Sequence, residues 1–295
     1  MAQHFVAPPQ WEWYIVWYFF LGGLAGGAYL IGTLLRLLGD PRDEGMARLA
    51  FLVAFPAMAI CPILLTLDLG RPLRFWHMMI DSRTGAPNFK YWSPMSVGAW
   101  ALLIFGIFAA VSFVDALARE GRLRLPLAQR LAGVVSGGFG RLFMVVGAML
   151  GLFVAGYTGV LLSVSNQPVW SDTWALGGLF LSSGLSVAAA TLVLLARGRA
   201  AAATASKLSR ADRYFIALEL VLLAIFFATL GAMASRLFEP RWLLLWVLVL
   251  AGTLVPLVMH RGPAAGRGGS PLIAGCLVLL GGLALRIIVI FGAQM

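Results

Sequence analysis

The chain has 295 residues, 61% hydrophobic and 12% charged, with a mean hydropathy of +0.90. A soluble domain carries about 25% charged residues, so this composition excludes a water-soluble globular fold. The net charge of +10 does not point to nucleic acid, because the basic residues sit in short segments between long apolar runs, as membrane topology requires. In chain order the apolar runs are Tyr14–Leu38, Leu49–Leu69, Ser96–Ala118, Leu142–Val164, Trp174–Ala196, Tyr214–Leu237, Trp242–His260 and Pro271–Phe291. About 20 residues at 1.5 Å rise cross a hydrocarbon core of roughly 30 Å. The runs are too long for barrel strands. The expected fold is a single all-α integral membrane domain with eight transmembrane helices. Met1 to Gln10 lacks the basic start and short apolar stretch of a cleavable signal.

The loops set the expected orientation. Those after helices 1, 3, 5 and 7 hold Arg36, Arg42, Arg48, Arg119, Arg122, Arg124, Arg130, Arg141, Arg197, Arg199, Lys207, Arg210, Arg213, Arg261 and Arg267, 15 in all. The opposite side holds 6: Arg71, Arg74, Arg83, Lys90, Arg236 and Arg241. The positive-inside rule places the richer side in the cytoplasm. Both termini and the long 70–95 loop then face outward, across the inner membrane of a prokaryote. The Ala-, Arg- and Ser-rich stretch Arg197–Ser209 reads as a flexible cytoplasmic loop. No internal repeat stands out, although two sets of four helices fit the count.

Small residues mark expected helix seams. Helix 1 carries Gly22, Gly23, Gly26 and Gly27; helix 4 carries Gly147, Gly151, Ala155 and Gly159 on one face. Such spacing lets helix backbones approach closely, with no chemistry implied.

Cysteine and histidine limit the cofactors. Cys61 and Cys276 lie in apolar segments and read as small buried hydrophobes. Two isolated cysteines cannot hold an iron–sulfur cluster, which takes about four thiolates. His4, His77 and His260 lie before helix 1, after helix 2 and at the end of helix 7, so no pair can sandwich a haem at membrane depth. The expectation is a chain with no haem, no iron–sulfur cluster and no metal of its own.

Polar residues at membrane depth are costly and carry the functional information. Glu12 opens helix 1, Asp68 closes helix 2 and Arg286 lies near the outer end of helix 8, so Arg286 is expected to pair with Asp68 or Glu12. Such a pair either fixes packing or includes a carboxylate that exchanges protons. Tyr157, in Gly156-Tyr157-Thr158-Gly159, lies in the outer third of helix 4, level with Tyr14 and Tyr18. A tyrosine hydroxyl can hydrogen-bond a quinone carbonyl. Tyr14 and Tyr18, with Trp11, Trp13 and Trp17, also fit an interfacial aromatic belt. Glu219 and Asp115 lie in the cytoplasmic halves of helices 6 and 3 and must be paired, protonated or hydrated. Each either begins a proton path or serves as a hydrogen-bonding acid.

Three segments together resemble the NrfD/PsrC family: Trp13-Tyr14 through Gly27-Ala28, Leu67-Asp68-Leu69-Gly70-Arg71-Pro72-Leu73-Arg74-Phe75-Trp76, and Gly156-Tyr157-Thr158-Gly159. This family supplies the membrane subunit of polysulfide reductase and related complexes. The resemblance spans essentially the whole chain, and the Asp-Leu-Gly-Arg-Pro segment is its most specific part. It implies a membrane anchor with no redox centre, which exchanges two electrons and two protons with menaquinone or ubiquinone near the outer face. Electrons would pass through a ferredoxin-like [4Fe–4S] subunit docked there, often joined to a molybdopterin-type catalytic subunit. Tyr157 matches the helix 4 tyrosine expected to bond the quinone. Some relatives place Asn and His early in helix 1, where this chain has Tyr14 and Tyr18. Tyrosine is a poor acid or base at neutral pH, so Asp68 or His77 stands in for the proton chemistry. The expected quinone site lies between helices 1, 2 and 4, with Asp68 steadied by Arg71 or Arg286, and Arg74 and Trp76 at the mouth or docking surface. Glu219 and Asp115 would feed protons from the cytoplasm. The rival readings are a solute transporter, which the sparsely polar helix interiors disfavour, and a purely structural anchor.

Overall fold

The structure is a computed structural model that describes residues 9–123, 133–196, 202–259 and 270–294. Among the described residues, eight helices are long and apolar enough to cross a bilayer: α1 (Trp13–Leu38), α2 (Glu44–Leu67), α3 (Pro94–Arg119), α4 (Gly137–Ser163), α5 (Leu176–Leu195), α6 (Ala202–Leu230), α7 (Pro240–Met259) and α8 (Ser270–Gly292). Helix ends follow local chemistry. The Ser93 hydroxyl accepts the Ser96 N–H at 3.4 Å and Pro94 occupies the first turn, which starts α3. Gly231 turns to φ 53° and ends α6, so the chain runs as a 3-10 turn from Gly231 to Phe238, where a continuous helix is expected to Leu237.

The start of α6 corrects another expectation. Ala202 to Ser209 is helical rather than a flexible loop. Alanine favours helix, and Lys207 anchors the segment to Asp40 at 2.6 Å and Asp43 at 2.7 Å, with the Thr204 hydroxyl donating to Asp43 at 2.6 Å. Cys276 also departs from expectation. It is exposed on α8, whereas Cys61 is buried and contacts the Ala57 carbonyl at 3.3 Å.

Helix α1 is the axis of the fold and packs on α2, α4, α5 and α8. Its glycines make this possible. A Cβ on Gly26 would lie 2.1 Å from the Gly151 carbonyl oxygen of α4, and one on Gly27 would lie 2.9 Å from the Gly184 carbonyl of α5. The glycine stripes therefore form helix seams, as expected. The outer sides of α2, α3, α6 and α7 present Ile63, Ile107, Val221 and Leu244, all more than half exposed, as a hydrocarbon solvent favours.

Trp11 and Gln294 meet at one end of the bundle, here the terminal face. The Trp11 backbone N–H donates to Gln294 Oε1 at 2.8 Å, and the Trp11 ring stacks on Trp170. The Trp170 indole N–H in turn donates to the Val289 carbonyl at 2.7 Å. The opposite, basic face is held by ion pairs. Arg36 contacts Glu44 at 2.8 Å and Asp115 at 2.6 Å, and Asp115 contacts Arg119 at 2.8 Å.

Candidate functional site

Tyr157 is placed by two glycines. On α4 itself, Gly159 lies so close to the start of α5 that a Cβ would sit 2.1 Å from the Leu176 carbonyl oxygen. Across the groove, Gly98 of α3 lacks the Cβ that would sit 2.3 Å from the Tyr157 ring. The ring therefore lies on the first turn of α3. Its hydroxyl donates to the Pro94 carbonyl and accepts the Gly98 backbone N–H. Phe153, one turn earlier, stacks on it with centroids 5.6 Å apart. Together they line a depression of about 380 Å³ with Tyr91, Trp92, Pro94 and Val97. That volume lies within the range of roughly 300–1,000 Å³ typical of small-molecule sites.

The depression is lined by residues of α3, α4 and the segment before α3, and no α1 or α2 residue lines it. Gly98 opens α3 to the Tyr157 ring. Tyr18 is buried and interacts electrostatically with Cys61 and Tyr157. Tyr14 is 37% exposed alongside Trp13 and Trp17, as an aromatic belt requires.

Asp68 sits at the C-terminus of α2, half-buried beside Glu12, whose backbone N–H donates to its carboxylate. Burial first, and the Glu12 charge second, hold the Asp68 carboxyl above the usual carboxylate range, against that hydrogen bond. No ion pair among the described residues joins Asp68 to Arg71 or Arg286. Arg71, Arg74 and Trp76 are exposed, and the half-buried His77 packs its ring on Trp76 with centroids 3.9 Å apart. His4 and His260 lie outside the described residues.

Arg286 is instead hydrogen-bonded inside the bundle. It is fully buried on α8 and donates to the Gly282 carbonyl at 2.7 Å, the Ser183 hydroxyl at 3.2 Å and the Phe180 carbonyl at 3.3 Å. Ser183 also bonds the carboxylate of Glu219, whose charge faces Arg286. Toward the basic face, the Ser186 hydroxyl donates to Asp212 at 2.6 Å, and Asp212 interacts electrostatically with Glu219. Glu219 and Arg286 therefore belong to one network rather than to opposite halves of the membrane. α6 begins at Ala202 and not at Tyr214, so Glu219 lies well inside the helix rather than in its first turns. Ser183, Ser186 and Asp212 were not singled out from the sequence. The available signal was spacing: Ser183 and Ser186 are three apart on α5, and Asp212 and Glu219 are seven apart on α6, so each pair shares a helix face. Asp115 stands apart from this network, fully buried between Arg36 and Arg119.

A sequence model of the family described as "Polysulphide reductase, NrfD" matches residues 3–295. The chain belongs to the NrfD family. Protein NrfD of Escherichia coli (strain K12) is 27% identical over 314 aligned positions, covering 97% of this chain and 95% of the relative. One polypeptide of the polysulfide reductase of Wolinella succinogenes is 30% identical over 185 positions, covering 60% of this chain and 55% of the relative. A subunit of the selenate reductase of Mesobacillus selenatarsenatis is 27% identical over 99 positions, covering 34% and 21%. This NrfD-family chain is thus an integral membrane protein similar to subunits of reductase complexes.

Proposed function

We propose that this NrfD-family chain is the quinone-reactive membrane subunit of an oxidoreductase complex. In this reading it exchanges electrons between menaquinone or ubiquinone and the [4Fe–4S] clusters of a ferredoxin-like partner. The terminal face is then the outer face of the inner membrane, as the charge asymmetry of the loops favours. The observation that carries the reading is the depression over Tyr157, lined by the stacked Phe153–Tyr157 pair with its phenol hydroxyl. A quinone bound there would supply two-electron, two-proton chemistry. Phe153 and Tyr157 would flank its ring, and Val97 and Val160 would exclude water from it. The Tyr157 hydroxyl, now donating to Pro94, would turn to a ligand carbonyl. Exposed Arg71, Arg74, Phe75 and Trp76 would serve the partner's docking surface, and the partner would lead to a molybdopterin-type or other catalytic subunit. The relatives named as parts of a polysulfide reductase and a selenate reductase favour such an assembly.

The test is gentle purification of the native complex, followed by quinone extraction and spectroscopy for iron–sulfur signals. Bound quinone together with clusters supports the reading, and a chain that purifies alone without quinone overturns it. Tyr157→Phe should lower quinone turnover and leave assembly intact, while wild-type turnover would remove Tyr157 from the mechanism.

One observation favours a second activity. The Asp212, Ser186, Glu219, Ser183 and Arg286 network runs from the basic face into the bundle and is a candidate proton path coupled to electron transfer. Proton uptake by oriented vesicles that is unchanged in Glu219→Gln would eliminate it.

A further inference from the structure

We propose that Asp172 is the proton-exchanging group of the Tyr157 depression. This rests on the quinone reading above. Lined by aromatic and apolar side chains, the depression has tyrosine hydroxyls as its titratable groups. Tyrosine, with an ordinary pKa near 10, does not exchange protons efficiently at neutral pH. Quinone chemistry nevertheless moves two protons for every two electrons, so a carboxylate or imidazole is needed nearby.

A second depression of about 440 Å³ continues the first along α4 and shares Val160 and Val164 with it. Ser163, Ser171, Asp172 and Thr173 line it together with Val160, Val164 and Trp174. Asp172 is the one carboxylate among the residues lining the two depressions. Tyr157 and Val164, the latter lining both depressions, are seven positions apart, about 10 Å at the helical rise.

The turn that presents Asp172 is specifically built. Val169 is the one non-glycine residue with a positive φ among the described residues, at 76°. A β-branched side chain is strained there and needs its surroundings to hold it. Val169 is fully buried, and its N–H donates to Asp172 Oδ2 at 2.9 Å. One carboxylate oxygen is thus tied to the turn, and the exposed carboxyl group keeps its remaining lone pairs for a proton.

In quinol oxidation two electrons pass to the iron–sulfur clusters of the partner. For each proton released, a ligand O–H bond breaks and an O–H bond forms on the Asp172 carboxylate, by way of water. Asp172 then loses that proton to the aqueous phase at the terminal face before taking the second. In quinone reduction the same group delivers both protons, and the electrons come from the clusters.

Asp172→Asn separates this role from a structural one, because the amide oxygen still accepts the Val169 N–H. In the purified complex with its partner subunits, the variant should keep wild-type quinone content. Its turnover should fall roughly 10–100-fold, the usual scale for loss of a general acid or base. Redox-induced infrared difference spectra should lose a carboxyl C=O band seen in the wild type. Asp172→Glu should restore both the band and the turnover. If Asp172→Asn keeps bound quinone, the same infrared difference spectrum and wild-type turnover, the proposal is overturned while the quinone site stands. If the wild-type complex itself holds no quinone, the underlying reading fails and the proposal fails with it.

Discussion

The ring of Tyr157 occupies the space that Gly98 leaves empty on the facing helix: a Cβ at position 98 would lie 2.3 Å from that ring. Gly98→Ala should therefore drive the ring off α3 and break the hydroxyl's bond to Pro94. Overpacking of this kind costs about 1–3 kcal/mol. A lower unfolding temperature in detergent and a lower bound-quinone content are the expected results. A variant with unchanged quinone content would show that the seating of Tyr157 on α3 does not shape the site.

The buried Glu219 and Arg286, which interact electrostatically and share Ser183, give a second prediction. Neutralising one member strands the other as an unpaired buried charge, at a cost of about 3–5 kcal/mol. Arg286→Met alone should destabilise the protein more than the double change Arg286→Met with Glu219→Leu. Thermal unfolding of the two variants decides the matter, and equal losses would mean that the two groups are not coupled.

Asp115 should behave differently from Glu219. Because Arg36 and Arg119 hold it on both sides, Asp115→Asn should destabilise the basic face by about 3 kcal/mol. Quinone turnover per folded molecule should stay at the wild-type level. A selective loss of turnover or of proton uptake would move Asp115 into the working machinery.

Asp68 predicts a pH effect. Its folded-state carboxyl lies above the ordinary value, chiefly through burial. Folding therefore favours the protonated form, and this contribution is fully present below the ordinary carboxylate pKa of about 4. It is lost as pH rises through the raised folded-state value. Asp68→Asn, which cannot ionise, should unfold at a higher temperature than the wild type at neutral pH, with the difference vanishing in acid. Melting curves across that range check the sign.

The architecture was legible in the sequence because each helix is a long apolar run, and the seams were legible because Gly23, Gly26, Gly27 and Gly151 stand at helical spacing. What the sequence hid depends on which helix faces which. Arg286 could be placed by depth near Asp68, but not by rotation, and rotation turns it inward to Ser183 and Glu219. The same holds for Tyr157, whose partner is a backbone carbonyl on α3, invisible to any reading of side-chain types. The early start of α6 was missed because hydropathy alone bounds the bilayer and not the helix, and Ala202 to Arg213 continues the helix beyond the apolar run.

The central place of α1 bears on how the protein is made. α1 precedes its partners in the sequence; Gly32 meets α2, but Gly26 and Gly27 fit α4 and α5, which are synthesised much later. The newly inserted helix must therefore wait in the membrane with its narrow faces toward lipid while α2 and α3 enter. Its first durable neighbour is α2, which packs on it directly. Maturation in the membrane is then a closing of later helices around an early one, and substitutions in the α1 glycines should be read out as failed assembly of the finished bundle rather than as failed insertion.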